Sequence, residues 1–183
     1  MATTTGAVEA LRNVSILRGL SDAEIQQITE GSERKEFAAG AAIFKEGDEV
    51  TGLYMIDTGR VTVSKGGGAK QKELAKLDAK LVFGEMGLLV GGRARTATVT
   101  ATEATVVYHL PRPRFAQLIE QGGPAIAKVT LNMARILAYR LDALNKEVVK
   151  LVDEAAKQGG EKAAKKTQEM EAFKEKLYKE WSF

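Results

Sequence analysis

Residues 83–99 read FGEMGLLVGGRARTATV and carry the strongest structural signal in the chain. Four glycines interrupt this stretch, so it cannot form one continuous strand. The runs on either side of it alternate apolar and polar residues, which is the pattern of a half-buried strand. We therefore interpret residues 83–99 as a loop with a short helical turn between two strands, and we call it the cassette loop.

The strand pattern extends outward from the cassette loop over much of the chain. Between Glu33 and Leu110 the apolar residues repeat at a period of about two, and turn signals recur at Gly40, Gly47 and Gly59. Short strands with frequent turns are typical of a compact antiparallel sandwich or barrel. We predict an α+β fold: an antiparallel, jelly-roll-like β-roll over residues 33–123, with N-terminal helices, a short cassette helix and long C-terminal helices.

Helices are predicted on both sides of the roll. Residues 1–32 form a helical lead-in, in which Ser21 is followed three residues later by Glu24, as at many helix starts. A short helix is predicted from Arg114 to Gln121. Residues 124–156 form a long lid and dimerisation helix, and residues 157–183 form a charged amphipathic tail helix.

The long helix carries an apolar stripe with steps of three or four residues. Such a stripe suits the seam of a helix pair, and it extends beyond Val148, where the roll can no longer cover it. We therefore predict a homodimer through the Ile126–Ala155 helix; the alternative is a helix that lies on its own domain. The stripe consists of Ile126, Thr130, Met133, Leu137, Leu141, Leu144, Val148, Leu151 and Ala155.

The composition excludes several classes of chemistry. The 183 residues include no Cys and one His. They cannot form a disulfide framework, a thiolate metal site or a multi-histidine cluster, and we expect no bound metal. No serine has the Gly-x-Ser-x-Gly setting of a hydrolase, and we expect no enzyme activity. The 27 basic and 24 acidic residues give a formal charge of +3, which is too small to argue for nucleic acid.

Membrane and secretion signals are absent from the sequence pattern. The first residues, MATTTGAVEALRN, lack the charged and apolar regions of a secretory leader. No window approaches about 18 uninterrupted apolar residues, the length a membrane helix needs. The lysines of the tail are balanced by glutamates, which disfavours attachment to a membrane surface. We therefore expect a cytoplasmic protein.

Two residues of the cassette loop carry chemistry that a ligand could use. Arg95 offers a planar fork of donors that matches two phosphate oxygens, which a lysine could not reproduce. Glu85, as a carboxylate, can accept a hydrogen bond from a sugar hydroxyl. Together these residue types suit a phosphate and a ribose. The loop around them can also present backbone N–H groups to an anion.

Residues 11 to 150 resemble the cyclic nucleotide-binding domain, of the type found in catabolite activator proteins and protein kinase A regulatory subunits. The cassette loop is similar to the family's phosphate-binding cassette: Phe-Gly-Glu, an apolar pair, a variable loop, then Arg-Ser/Thr/Ala-Ala-Thr-Val. The upstream stretch LYMIDTGRV at 53–61 and the downstream PRPRF at 111–115 match in order and spacing. The chain departs from the family before Phe83, where DAKLV at 78–82 replaces a common Gly-Asp turn.

The resemblance implies roles for individual residues of the cassette loop. Gly84 and Glu85 would lie at the ribose, with Glu85 accepting from its 2′-hydroxyl, and Met86 is a further candidate ligand-binding residue. Arg95 would pair with the exocyclic oxygens of the cyclic phosphate. The implied ligand is cyclic AMP, with cyclic GMP as the alternative.

The remaining implied contacts are those of backbone N–H groups to the phosphate and those of side chains to the base. Thr96 and Ala97 would donate backbone N–H groups to the phosphate, and the Thr96 hydroxyl could also reach a guanine amino group. Tyr139 and Arg140 on the long helix are candidates for stacking on the purine. The alternative is that these two side chains face solvent.

The expected function is that of a non-enzymatic sensor. Ligand binding would reposition the C-terminal helices, which would act on an unknown protein partner through the tail. The 27 residues after Ala156 are too few for a helix-turn-helix unit, so no DNA partner is expected. The alternative is a degenerate domain that serves as a dimeric adaptor or scaffold.

Overall fold

The computed structural model of this chain describes residues 4–68, 71–89 and 94–157. Two compact units are distinguished, Met1–Ile136 and Leu137–Phe183. The expectations for a tail helix lie outside the described residues, and so does Arg93, a second basic residue of the cassette loop.

The N-terminal segment forms two α-helices, α1 (Thr4–Leu11) and α2 (Asp22–Thr29), with a 3-10 turn at Ser15–Leu17 between them. The predicted helix start at Ser21 is confirmed as a capping box. The Ser21 hydroxyl accepts from the Glu24 backbone N–H at 3.3 Å, and the Glu24 carboxylate accepts from the Ser21 N–H at 2.7 Å. Two backbone donors that the helix itself cannot use are thereby satisfied.

In the ranges that the structure describes, eight antiparallel strands form two four-stranded sheets, which confirms the predicted α+β roll. The first sheet has the order β1-β8-β3-β6 and the second the order β2-β7-β4-β5. The strands are β1 (Glu33–Phe37), β2 (Ala42–Phe44), β3 (Gly52–Thr58), β4 (Arg60–Lys65), β5 (Lys72–Asp78), β6 (Val82–Phe83), β7 (Thr98–Ala101) and β8 (Thr105–Pro111).

Strand β3 lies in the middle of the structure because both of its faces are covered. Its side chains alternate between two hydrophobic clusters, as the period of two requires. Leu53 and Met55 pack in the cluster that includes the helices, whereas Tyr54 and Ile56 pack in the cluster between the sheets. This strand therefore connects the helical layer to the interior of the roll.

The described residues form three further helices: α3 (Glu85–Leu89) between β6 and β7, and α4 (Arg112–Gln121) and α5 (Pro124–Lys157) after β8. Helix α4 begins two residues earlier than the sequence predicted. Pro113 lies in its first turn, where a missing N–H costs no hydrogen bond, so the prolines do not delay the helix. Gly122 ends α4 with a φ of 68°, and Pro124 begins α5 as predicted.

The apolar stripe of α5 divides into a buried and an exposed part. Ile126 and Met133 are 5% and 1% exposed, and both belong to the hydrophobic cluster of their own domain. Leu144 and Leu151, by contrast, are 61% and 52% exposed. The prediction of an intermolecular seam that starts at Ile126 is thus wrong for the first turns, because the domain's own core covers them.

The turn that departs from the family pattern depends on Lys80. This residue has a φ of 70°, in the left-handed region that favours glycine. Its ammonium donates to the Asp57 carboxylate at 2.8 Å and to the Ala10 carbonyl at 2.9 Å. The turn therefore forms without a glycine, and the lysine side chain links α1 to β3.

Candidate ligand-binding site

The two ends of the cassette loop are held against the roll by the backbone. At one end, β6 pairs with β3, and Gly84 follows with a φ of 84° that turns the chain into α3. At the other end, the Arg95 N–H donates to the Asp48 carbonyl at 2.7 Å, and the Gly47 N–H donates to the Arg95 carbonyl at 2.9 Å. Arg95 is thereby positioned by a turn that lies far from it in sequence.

The Arg95 side chain is buried, with 4% of its surface exposed. Its Nη2 donates to the Gly52 carbonyl at 3.0 Å and to the Thr51 hydroxyl at 3.2 Å. Its Nη1 donates to the Gly84 carbonyl at 3.3 Å. Its Nε is also buried but has no acceptor among the described residues. The guanidinium group is thus held in place through its Nη atoms, and its Nε–H is left without an acceptor in the described part of the chain.

Aromatic rings cover the same guanidinium group. Its Cζ lies 4.1 Å from the centroid of the Phe44 ring and 5.5 Å from that of Tyr54. The Tyr54 ring in turn stacks on Phe83, at a centroid distance of 5.1 Å. Aromatic faces attract cations, and rigid stacked rings restrict the arginine to few orientations. Aromatic side chains from the roll's interior therefore contact the Arg95 guanidinium group.

The electrostatic balance of this group is unusual for a buried arginine. Burial lowers the pKa of Arg95, because desolvation penalises the charged form, whereas Tyr54, Asp48 and Glu85 act in the opposite direction. The acceptors of its hydrogen bonds are neutral oxygens. Because arginine stays protonated at neutral pH, the site keeps a buried positive charge. Such a charge favours an anionic ligand.

The residues predicted for the ribose lie at the start of α3. Glu85 is its first residue and is 2% exposed. The charge of Glu85 is close enough to favour the charged form of Arg95. Met86, the next residue, is 48% exposed, and Gly84 supplies a carbonyl to Arg95. The structure therefore brings Gly84, Glu85 and Arg95 together.

The other predicted contacts are less concentrated. Thr96 is exposed and Ala97 is buried, and both follow Arg95 directly on the way into β7. Tyr139 is 74% exposed and Arg140 is half-buried, and both belong to the second unit. The roles of Thr96, Ala97, Tyr139 and Arg140 stay predictions.

The residues that contact Arg95 from outside the cassette loop were not predicted from the sequence. Thr51, Gly52 and Phe44 contact its guanidinium group, yet none lies in the cassette loop. One signal was available: a glycine in a buried strand often marks a close approach of backbone. At Gly52 a Cβ would lie 2.2 Å from the Leu110 carbonyl oxygen and 2.6 Å from the His109 Nε2.

The described ranges contain neither a metal cluster nor a membrane-spanning helix. These residues contain no group of three or more His, Cys, Asp or Glu side chains able to hold a metal ion. They also include no helix with the length and apolarity to cross a bilayer. The fold and the site together define a class of binding domain: a β-roll with a buried, positively charged arginine, Arg95, beside the cassette loop.

Comparison with known families identifies this class. Residues 34–122 match the family model of the cyclic nucleotide-binding domain. Residues 34–122 therefore form a domain of the cyclic nucleotide-binding family, as the cassette loop indicated. The matched residues run from β1 to the end of α4 and include Gly84, Glu85 and Arg95.

Three known proteins illustrate the similarity. The crystal structure of Thermus thermophilus catabolite activator protein is 30% identical, with a TM-score of 0.66, over 77% of this chain and 65% of that one. The regulatory domain of Toxoplasma gondii PKA, co-crystallised with cAMP, is 25% identical, with a TM-score of 0.59, over 72% and 50%. Glutaminase 1 of Bradyrhizobium diazoefficiens is 32% identical over 133 residues, which are 73% of this chain and 21% of that protein.

The chain thus spans about a fifth of the length of that glutaminase. Its relatives include proteins named as regulators and a protein named as an enzyme. The shared domain accordingly accounts for the fold and for nucleotide binding in the family, and the activity of each whole protein is a separate property.

Proposed function

We propose that this chain is a cyclic nucleotide sensor without catalytic activity of its own. The observation that carries the proposal is the buried Arg95 guanidinium group, whose acceptors are neutral and whose Nε has none among the described residues. A cyclic phosphate supplies both a charge and acceptor oxygens, and a hydrogen bond between charged partners is about twice as strong as a neutral one. Arg95 would therefore be the main phosphate contact.

Glu85 would select for a ribose beside that phosphate. Its carboxylate is buried at the start of α3, next to the Gly84 carbonyl that accepts from Arg95. A buried carboxylate that accepts a hydrogen bond from a hydroxyl discriminates strongly against a sugar without that hydroxyl. Met86 would border the ribose, and the backbone N–H groups of Thr96 and Ala97 would add to the phosphate contact.

Cyclic AMP is the proposed ligand, with cyclic GMP as the alternative. The Toxoplasma gondii PKA domain, a relative at 25% identity, was crystallised with cAMP, which supports this order. The Thr96 hydroxyl keeps the alternative open, because it could bind a guanine amino group. Tyr139 or Arg140 would stack on the purine of either nucleotide.

The output of the sensor would come from the C-terminal helices. Ligand binding can shift them only by the difference in its affinity for two arrangements of the chain. We propose a cytoplasmic homodimer through the Ile126–Ala155 helix, formed by its later turns, and a protein partner bound by the tail. No DNA partner is proposed.

A dimeric adaptor is the second candidate function, and one observation favours it. Leu144 and Leu151, which lie on one face of α5, are 61% and 52% exposed. An exposed apolar face of this kind is typical of an interaction surface whether or not a ligand is bound. In an adaptor the domain would be structural, and the chain would bind no nucleotide.

Isothermal titration calorimetry with cyclic AMP, cyclic GMP and adenosine separates the two functions. The sensor predicts binding of a cyclic nucleotide, much weaker binding of adenosine, and a large loss of affinity in Arg95→Lys, which keeps the charge but not the fork. Arg12→Ala is the matched control, because Arg12 is exposed and pairs with Asp22 in the N-terminal helices. Absence of binding by the wild-type chain would leave only the adaptor.

Sedimentation equilibrium tests the dimer. The wild-type chain is expected to be dimeric at micromolar concentration, and Leu144→Asp with Leu151→Asp is expected to be monomeric, because burying two carboxylates in an apolar seam is costly. Both side chains are exposed, so the double variant should keep the thermal stability of the monomer fold. A wild-type monomer would refute the proposed seam.

A further inference from the structure

A hydrogen-bonded chain of three side chains connects the roll's interior to Arg95. Thr51 directly precedes β3, and its Oγ1 accepts from Arg95 Nη2 at 3.2 Å. The same Oγ1 lies 3.3 Å from the Tyr54 hydroxyl. Thr51 is exposed, whereas Tyr54 and Arg95 are buried. The threonine thus lies in the middle of this chain of contacts, between the Tyr54 hydroxyl and the Arg95 guanidinium group.

The identity of the side chain at position 51 is the variable element of this arrangement. The other acceptors of Arg95, Gly52 and Gly84, use backbone carbonyls, which any residue would have. Thr51 provides the side-chain acceptor of Arg95 among the described residues. A change at this position therefore alters the orientation of the guanidinium group without altering its charge.

Tyr54 determines how Thr51 can bind. A hydroxyl has one proton and two lone pairs, and the guanidinium group can only donate. When Thr51 accepts from Arg95, it still exchanges a hydrogen bond with the Tyr54 hydroxyl. Tyr54 itself is fixed by ring stacking on Phe83 and on His109, the latter at a centroid distance of 4.6 Å. A rigid ring thus orients the hydroxyl that orients the arginine.

We infer that Thr51, oriented by Tyr54, is a positioning residue that fixes the Arg95 guanidinium group for the phosphate. This inference rests on the proposed function, because it assigns Thr51 a part in the same site. The Oγ1 of Thr51 fixes the plane of the fork, so that its remaining donors are arranged before the ligand enters. Preorganised donors bind more tightly because less conformational freedom is lost on binding.

Calorimetry with cyclic AMP on three variants provides the first test. Thr51→Val removes the acceptor and keeps the shape, and it should weaken binding about tenfold, as loss of one hydrogen bond to a charged group would. Thr51→Ser keeps the hydroxyl and should bind within about twofold of the wild type. Thr58→Val is the matched control, because Thr58 is an exposed threonine at the opposite end of β3.

A second readout does not depend on the ligand. In ¹⁵N spectra of the guanidinium group, restricted rotation should give Arg95 resolved Nη signals in the wild type, identified by their loss in Arg95→Lys. Thr51→Val should broaden or merge these signals, and Thr51→Ser should restore them. A role in folding alone would change the melting temperature without this spectral change.

The possible outcomes are separable. Equal affinity of the wild type and Thr51→Val, with binding intact, would overturn the positioning role and leave the sensor proposal standing. Unchanged Arg95 signals in Thr51→Val would overturn it as well. If the wild type binds no cyclic nucleotide, the proposed function fails, whereas the spectra still report whether Thr51 orients Arg95.

Discussion

Strand β3 has a basic side chain docked at each end, and the two are compensated in different ways. At its start, Arg95 donates to the Gly52 carbonyl and to other neutral oxygens. Near its end, Lys80 donates to the Asp57 carboxylate at 2.8 Å and to the Ala10 carbonyl. Lys80 thus donates a hydrogen bond to a carboxylate of the protein, whereas the hydrogen bonds of Arg95 go to neutral oxygens.

This difference separates a structural contact from a binding contact. The ion pair of Lys80 is complete within the domain, so its contribution is to stability. Burial lowers the pKa of Arg95 and its hydrogen bonds go to neutral oxygens, which leaves part of its desolvation cost uncompensated. An anionic ligand can provide that compensation, so the contribution of Arg95 appears on binding.

The largest expected effect comes from removing the uncompensated charge. Arg95→Ala should weaken cyclic nucleotide binding by about 2–4 kcal/mol, because the phosphate loses a charged, buried partner. The free energy of unfolding of this variant should change much less than its free energy of binding. Calorimetry and thermal denaturation of the same preparation check both statements. Equal affinity of Arg95→Ala and the wild type would remove Arg95 from the site.

The next effect concerns the contact between Gly84 and Arg95. A Cβ at Gly84 would lie 2.8 Å from Arg95 Nη1, and the φ of 84° is itself unfavourable for alanine. Gly40→Ala is a matched control, because Gly40 has the same φ of 84° and nothing lies within 4 Å of its Cβ. Both variants should lose about 1–2 kcal/mol of stability, and only Gly84→Ala should also lose affinity. Equal affinities would break the link to Arg95.

At the other end of β3, substitutions should affect stability alone. Lys80→Ala removes the partner of Asp57, whose side chain is 18% exposed, and should lower the free energy of unfolding by about 1–2 kcal/mol. Lys80→Gly loses the same contacts but relieves the φ of 70°, so it should be more stable than Lys80→Ala by about 1 kcal/mol. Chemical denaturation measures both. A change in nucleotide affinity would show that the two ends are not independent.

The smallest expected effect is a pH dependence at the Arg95 end. His109 is buried against Tyr54, and burial and the charges of Lys35 and Arg95 lower its pKa, whereas Glu33 raises it. With a lowered pKa in the folded state, its contribution is complete above about pH 6.5 and is lost as the pH falls below that value. His109→Gln should therefore unfold with a flatter dependence on pH between about 7 and 5. Parallel pH profiles would exclude His109 from this role.

Local sequence rules predicted much of the fold. The capping box at Ser21 and the turns at Gly40, Gly47 and Gly59 depend on neighbouring residues, and each was found where the sequence predicted it. The stripe of α5 was harder, because its period defines a face but not what the face packs against. Met133 is therefore in the domain's own core, although it shares its spacing with the exposed Leu144.

The candidate site was predicted only in part. Glu85 and Arg95 are close in sequence and follow a recognisable motif, so their location in one site could be anticipated from the cassette loop. Thr51 lies 44 residues before Arg95, and nothing in its own surroundings marks it as a partner of an arginine. Phe44 likewise fits the apolar pattern of an ordinary strand, so nothing local marks it as a neighbour of Arg95.

The amino-acid sequence alone determined the period of each element, the positions of the turns and the chemistry of the cassette loop, because these depend on residues a few positions apart. The tertiary structure decided which oxygens surround Arg95 and that they are neutral. Pairing of β3 with β6 and β8, and of Arg95 with the turn at Gly47, brings these groups together. Contacts over such distances in sequence depend on packing of the whole roll, which no local pattern contains.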